Sequence, residues 1–179
     1  MRLTRRDLLL AAILCTMSAS VVAQGSGAGS KRDWRAATPA ELEAVLPARA
    51  PVEKEHIETE MRSASGIIDL RGRVTAAVVL ITAGYAANGK YYYYLLAQSS
   101  IRIGSNIDLP PGGYAIGWTR ATDGLLVHIY EAETGVERGT ITAHPLSQPL
   151  PIVSIKIWPP SERSVIQIGR FVLPYSLGD

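Results

Sequence analysis

From Gly66 onward, apolar and polar residues alternate with a period of two, in runs rich in Val, Ile, Tyr and Trp that Gly, Pro, Asn and Asp interrupt about every ten residues. Alternation places successive side chains on opposite faces of an extended chain, and the spacing predicts strands near 66–71, 74–87, 90–97, 100–104, 113–121, 125–133, 136–143, 151–158 and 164–173. About nine short strands with antiparallel turns cannot leave their apolar faces in water. The expected fold class is therefore all-β, two antiparallel sheets packed as a sandwich.

Upstream the period changes. Thr38-Pro39-Ala40-Glu41 offers an N-cap, a proline at the first helical position and a capping-box glutamate, with Leu42, Val45 and Leu46 forming one apolar face. One short helix is expected there, stopped by Pro47 and Pro51. Glu53 to Glu60 reads as a solvated helix or an edge strand.

Two dipeptides, Asn88-Gly89 and Asp123-Gly124, accept positive φ at both central positions of a type I′ hairpin. Centred on them, the first hairpin sets Tyr93 opposite Gly84 and Tyr85 opposite Tyr92. The second sets Tyr130 opposite Gly117 and His128 opposite Thr119, with Ile116, Trp118, Val127 and Ile129 together on a core-facing side. A third turn at Thr134-Gly135 sets Glu131 against Arg138 and makes residues 113–143 a three-stranded meander. The string Leu109-Pro110-Pro111-Gly112-Gly113-Tyr114 resembles the LPxGxY strand opening of carboxypeptidase-regulatory and prealbumin-like modules. An immunoglobulin-like or prealbumin-like sandwich is the expected type, and six residues carry no function with them.

The most unusual local feature is Tyr91-Tyr92-Tyr93-Tyr94, which as a strand presents phenols on both sides. Tyr85, Tyr92, Tyr94 and Gln98 make the more polar face, suited to stacking on sugar rings or a flat protein surface. The competing reading places these rings in the core. Tyr85, Tyr91, Tyr92, Tyr93 and Tyr94 are the candidate binding or interface residues.

Composition narrows the chemistry. Of 18 basic and 16 acidic residues, the first 23 positions hold Arg2, Arg5, Arg6 and Asp7, so 15 of each remain and the rest of the chain is formally neutral. No Lys/Arg cluster offers a nucleic-acid surface. His56, His128 and His144 stand 72 and 16 residues apart, without the paired spacing of a zinc motif, and the carboxylates around His56 lack the offsets of a calcium loop. No nucleophile elbow or Ser-x-x-Lys pair occurs, and Asp69, Asp108 and Asp123 fall at strand ends or turns, where aspartate serves the backbone. No cofactor, metal site or catalytic residue is assigned.

The N-terminus reads as an address. A charged start precedes an apolar run from Leu8 to about Ala23, with Val21 and Ala23 at the positions a signal peptidase reads. Thr4-Arg5-Arg6-Asp7-Leu8-Leu9 resembles the twin-arginine signals, which implies bacterial export of an already folded chain. Cleavage after Ala23 removes the single cysteine, Cys15, and with it any disulfide or thiolate. Residues 24–33 read as a Gly/Ser-rich linker and 34–179 as one domain.

The expectation is an exported, non-enzymatic β-sandwich in the periplasm or outside the cell, meeting the membrane only during export. It acts by surface contact, either by self-association or on a cell-surface polysaccharide or protein. A small periplasmic hydrolase or metal-binding protein built on His56 or His128 is the reading from another class.

Overall fold

The computed structural model describes residues 34–82, 90–146 and 150–178. Among them the chain is almost wholly antiparallel β-structure, as the period-two pattern requires. A short β1 (Arg35–Ala36) and helix α1 (Pro39–Glu43) lead into the hairpin β2 (Arg49–Val52) and β3 (Glu55–Ile68). Then come β4 (Val74–Ile81), β5 (Tyr93–Ala97), the small hairpin β6 (Ile101–Ile103) and β7 (Ile107–Leu109), and β8 (Gly112–Ala121). Strands β9 (Gly124–Glu131), β10 (Glu137–Pro145), β11 (Val153–Trp158), β12 (Val165–Gly169) and β13 (Phe171–Leu177) complete the chain. The helix forms as its cap dictates: Thr38 Oγ1 accepts from the Glu41 N–H, and the Glu41 carboxylate returns to the Thr38 N–H at 2.8 Å.

The strands follow the order β1-β3-β4-β5-β8-β9-β10-β13-β12-β11, and β11 comes back against β3. That last contact is no regular ladder. The Ser65 hydroxyl accepts from the Ile157 N–H at 3.1 Å and reaches the Ile157 carbonyl at 3.4 Å, so one side chain serves both backbone groups. It closes the sheet into a barrel-like sandwich. Beside it β3 bulges between Glu60 and Ser65, where the Ser63 hydroxyl accepts the Leu80 N–H at 2.9 Å in place of a lost ladder bond.

Two apolar layers result. The interior gathers Ile67, Val78, Leu95, Ile116, Val127, Ile157 and Leu173 among others. The outer face of β3, β4, β5 and β8 is apolar as well, and it packs under α1 and the β2–β3 hairpin through Leu42, Leu46, Val52, Ile57, Val79 and Tyr94. The barrel's ends differ. At one, the β6–β7 hairpin turns Ile101, Ile103, Ile107 and Leu109 inward as a plug, leaving Arg102 and Asp108 paired on the outside. The other end, the mouth, is where β4, β8, β10 and β12 finish and β5, β9, β11 and β13 begin.

Several expectations change. Thirteen strands replace about nine among the described residues, because β1, β2 and β7 join the expected set and one expected strand divides, while residues 55–60 extend the strand expected at 66–71 to 14 residues. The expected strand 164–173 is two, since Gly169 (φ 60°) and Arg170 form a tight turn that the unbroken apolar alternation conceals. Asp123-Gly124 is not the centre of its hairpin: Ala121 pairs with Gly124 around Thr122-Asp123. A Cβ on Gly124 would lie 2.1 Å from the Ala143 carbonyl oxygen, so close approach of β10, not turn geometry, requires this glycine. Tyr130 therefore faces Ala115, and His128 faces Gly117. The register moves by two, which leaves the faces intact, and Ile116, Trp118, Val127 and Ile129 remain on the core side. Glu131 does not meet Arg138, because a bulge sets Glu137 against Tyr130 and Gly139 against Ile129. Asn88-Gly89, like Tyr85 and Gly84, lies outside the described residues.

Ser65→Ala should leave both polar groups of Ile157 without their side-chain partner and lower unfolding free energy by about 1–3 kcal/mol, read from urea denaturation. The Arg35 guanidinium and the Thr38 backbone and hydroxyl hold the Glu41 carboxyl down at about 2 from an ordinary 4.5. A depressed carboxyl contributes stability above its unfolded value, so the helix cap should persist at pH 5 and be lost as pH falls from about 4.5 through 2, monitored by NMR at Thr38.

Candidate functional site

The tyrosine run does not form an open row. Tyr91, Tyr93 and Tyr94 are buried and Tyr92 is half-buried, so of the two readings the rings follow the one that places them in the core, not the exposed phenol face. The reason is local. Tyr93 pairs with Ile116 while the Tyr92 N–H donates to the same Ile116 carbonyl, so two residues meet one in a bulge that breaks the alternation. Tyr91 and Tyr94 turn to the outer layer, Tyr92 and Tyr93 to the interior and the mouth. The first hairpin pairs Leu80 with Tyr93 and Val79 with Tyr94, four residues from the register expected. Gln98 is exposed at the far end of β5.

Each buried phenol has its own explanation. Tyr94 lies across Gly113, where a Cβ would stand within 3.0 Å of its ring carbon Cζ. Tyr93 donates to the Ser154 carbonyl at 3.0 Å, tying β5 to β11. Burial pushes the Tyr93 hydroxyl up; the nearby Trp118 indole N–H offsets part of this, although that contact falls short of hydrogen-bond geometry and leaves Trp118 Nε1 buried without a partner. Tyr91 donates to Glu53 Oε1 at 2.5 Å, and burial first, then this carboxylate, raises its pKa strongly. All three phenols stay protonated at neutral pH and act as donors or packing, not as bases.

Glu53 is the first residue of the β2–β3 turn and holds a φ of 55°, a conformation that costs a residue with a Cβ about 1–2 kcal/mol. Its N–H donates to the Ala132 carbonyl at 2.6 Å and its carboxylate takes the Tyr91 hydroxyl, so tertiary bonds hold the strain. Beside it the Lys90 ammonium stands 4.1 Å from the Tyr130 ring centre and 4.9 Å from that of Tyr91. These groups satisfy one another. They latch the hairpin over the outer layer and leave a cleft of ≈ 260 Å³ beside Glu53, Glu55 and Tyr91.

The histidines fall in separate places. His56 is exposed on the β2–β3 hairpin and His144 at the end of β10. His128, on β9, sets Nδ1 3.0 Å from Glu137 Oε1 and stacks on Tyr130 with ring centres 6.1 Å apart. No hydroxyl, thiol or ammonium joins this pair by hydrogen bond among the described residues, and no three His, Cys, Asp or Glu side chains gather there. Asp69 accepts from the backbone N–H groups of Arg71 and Arg73, which with the Arg73 guanidinium hold its carboxyl below the ordinary range.

What the fold does assemble among the described residues is a groove at the mouth. Between the β3 bulge and β11 lies a cleft of ≈ 450 Å³ bordered by Glu60, Arg62, Leu80, Tyr92 and Ser154. Leu80 and Ser154 also border the next, of ≈ 430 Å³, with Tyr93, Trp118, Arg120, Ile152 and Phe171. Arg120, Leu125 and Phe171 continue into a third of ≈ 310 Å³ that ends at Asp123 and Pro145. At the centre Tyr92 stacks on Trp118, ring centres 5.0 Å apart and 25° from parallel, both rings half-buried. On the opposite side of β8, Gly117 admits the Lys90 backbone, since a Cβ there would come 2.1 Å from the Lys90 carbonyl oxygen. Of the five tyrosines singled out in the sequence, Tyr92 and Tyr93 reach the groove. Trp118, expected to face the core, and Arg62, Arg120, Ile152 and Phe171 were not read as a site, because nothing in their spacing along the chain marks them as neighbours.

Comparison with known proteins finds no matching family model, no matching curated protein and no matching solved structure.

Truncating the buried Tyr94 to Ala should cost about 3–5 kcal/mol, and truncating the half-buried Tyr92 less than half of that, measured by chemical denaturation.

Proposed function

We propose that the protein is exported through the twin-arginine route and acts without catalysis, in the periplasm or outside the cell, by binding a polysaccharide in the mouth groove. The observation that carries this reading is the stacked Tyr92–Trp118 pair at the centre of a groove whose ends are polar. A sugar ring has an apolar face and a rim of hydroxyls; half-buried aromatic rings suit the face, and guanidinium, carboxylate and hydroxyl groups suit the rim. The mouths of barrels are common ligand sites, and here the other end is filled by Ile101, Ile103, Ile107 and Leu109. Trp34, whose carbonyl accepts a bond from Ser161, and Arg35, which pairs with Ile68, also lie at that plugged end.

The competing form of surface contact is self-association. Ile152, 80 % exposed on the groove's rim, is the feature that favours it. The strand edges give it little support, since β11 returns to β3 and the β2 edge carries Pro51.

The test is gel retardation of the purified chain by soluble polysaccharides, alongside Trp118→Ala. Retardation should fall about tenfold in affinity, near 1.4 kcal/mol, while the variant's melting temperature stays within a few degrees of the parent's. Absence of retardation with every polysaccharide, together with a concentration-dependent size in light scattering, would replace this reading with self-association.

A further inference from the structure

Resting on the groove as the binding site, we infer that its ligand is the internal segment of a neutral polysaccharide, held along its length and not by its end. Three features carry this. First, the groove is continuous: the three clefts share Leu80 and Ser154, then Arg120, Leu125 and Phe171, and the side chains at its two extremities, Glu60 and Arg62 at one and Asp123 and Pro145 at the other, are exposed. It passes from the β3 bulge across the ends of β4, β5, β8 and β9, and with neighbouring strands about 4.8 Å apart that is a path of roughly 20 Å, long enough for several sugar rings in file. A site for a chain terminus would be a blind pocket.

Second, the charges that border it cancel. Glu60 and Arg62 stand at one extremity and Arg120 and Asp123 at the other, so each end offers one guanidinium and one carboxylate. None of the four appears in an ion pair among the described residues, leaving their hydrogen-bonding capacity for a ligand. Arg170 stands over the Phe171 ring beside the groove without bordering it. A run of carboxylated or sulfated sugars would meet as many repelling groups as attracting ones, whereas a donor set and an acceptor set at each end suit hydroxyls. Third, the centre is bordered mostly by apolar side chains, with Arg120 its one charged group. Tyr92, Trp118 and Leu80 form its floor, and desolvating a neutral ring there costs far less than desolvating an ionised one.

The experiment is a titration of the full chain, followed by tryptophan fluorescence and calorimetry, with cello-, xylo-, malto- and laminari-oligosaccharides of two, four and six units, and with oligogalacturonate as the acidic probe. One neutral series should bind, with the six-unit member about tenfold tighter than the two-unit member, unchanged when its reducing end is reduced to the alditol and unchanged between low and high salt. Glu60→Gln and Asp123→Asn, both exposed, should each weaken the six-unit member and leave the two-unit member unaffected. Binding that is saturated at two units, or abolished by the alditol, overturns the internal-segment inference while keeping the groove as a saccharide site. Salt-sensitive preference for oligogalacturonate overturns neutrality in the same way. Failure of every saccharide to bind overturns this inference and the reading beneath it together.

Discussion

The rest of the molecule follows from one constraint: the central sheet is apolar on both faces. Val74 to Ile81 is buried almost without interruption, and β5 and β8 carry large side chains to either side. Such a sheet cannot be half of a simple sandwich with one solvated face; each side must be covered. One side is covered by the sheet's own continuation, which rolls through β9, β10, β13, β12 and β11 until Ser65 meets Ile157. The other is covered by the preceding segment, a capped helix and a hairpin latched by Glu53, Tyr91 and Ala132.

Double burial also decides the tyrosines. A strand with both faces covered has no place for a solvent-facing phenol row, so Tyr91 and Tyr94 become packing under the hairpin and Tyr93 becomes a tie to Ser154. The bulge at Tyr92–Tyr93 is the one point where the run escapes alternation, and it places Tyr92 against Trp118. Rolling the sheet makes two ends of different character. A short hairpin of Ile and Leu fills one, and at the other a cleft lies between the β3 bulge and Ser154 of β11. The groove is thus a by-product of closure, walled by strand ends and floored by aromatic rings.

Glycine shows how local signals and tertiary demands can share a residue. Gly124 beside Asp123 reads as a turn, yet it is needed for the approach of Ala143, and Gly117 is needed for that of Lys90. In both hairpins the registers differ from the turn-based expectation by an even number of residues. Even shifts conserve faces, which is why the core of the β8–β9 pair was legible while its partners were not.

The sequence by itself determined the strand-rich fold, the helix with its cap, the three-stranded meander of 113–143 and the core-facing side of its first two strands, because these depend on periodicity and on residues within a few positions of one another. Tertiary structure alone decided how the sheet closes, that Glu55–Ile68 is one strand serving two layers, and which tyrosines see solvent. It also decided the groove. Arg62, Tyr92, Trp118, Ile152 and Phe171 come from five strands or their ends, spread over more than a hundred residues of chain, and only the rolled sheet makes them neighbours.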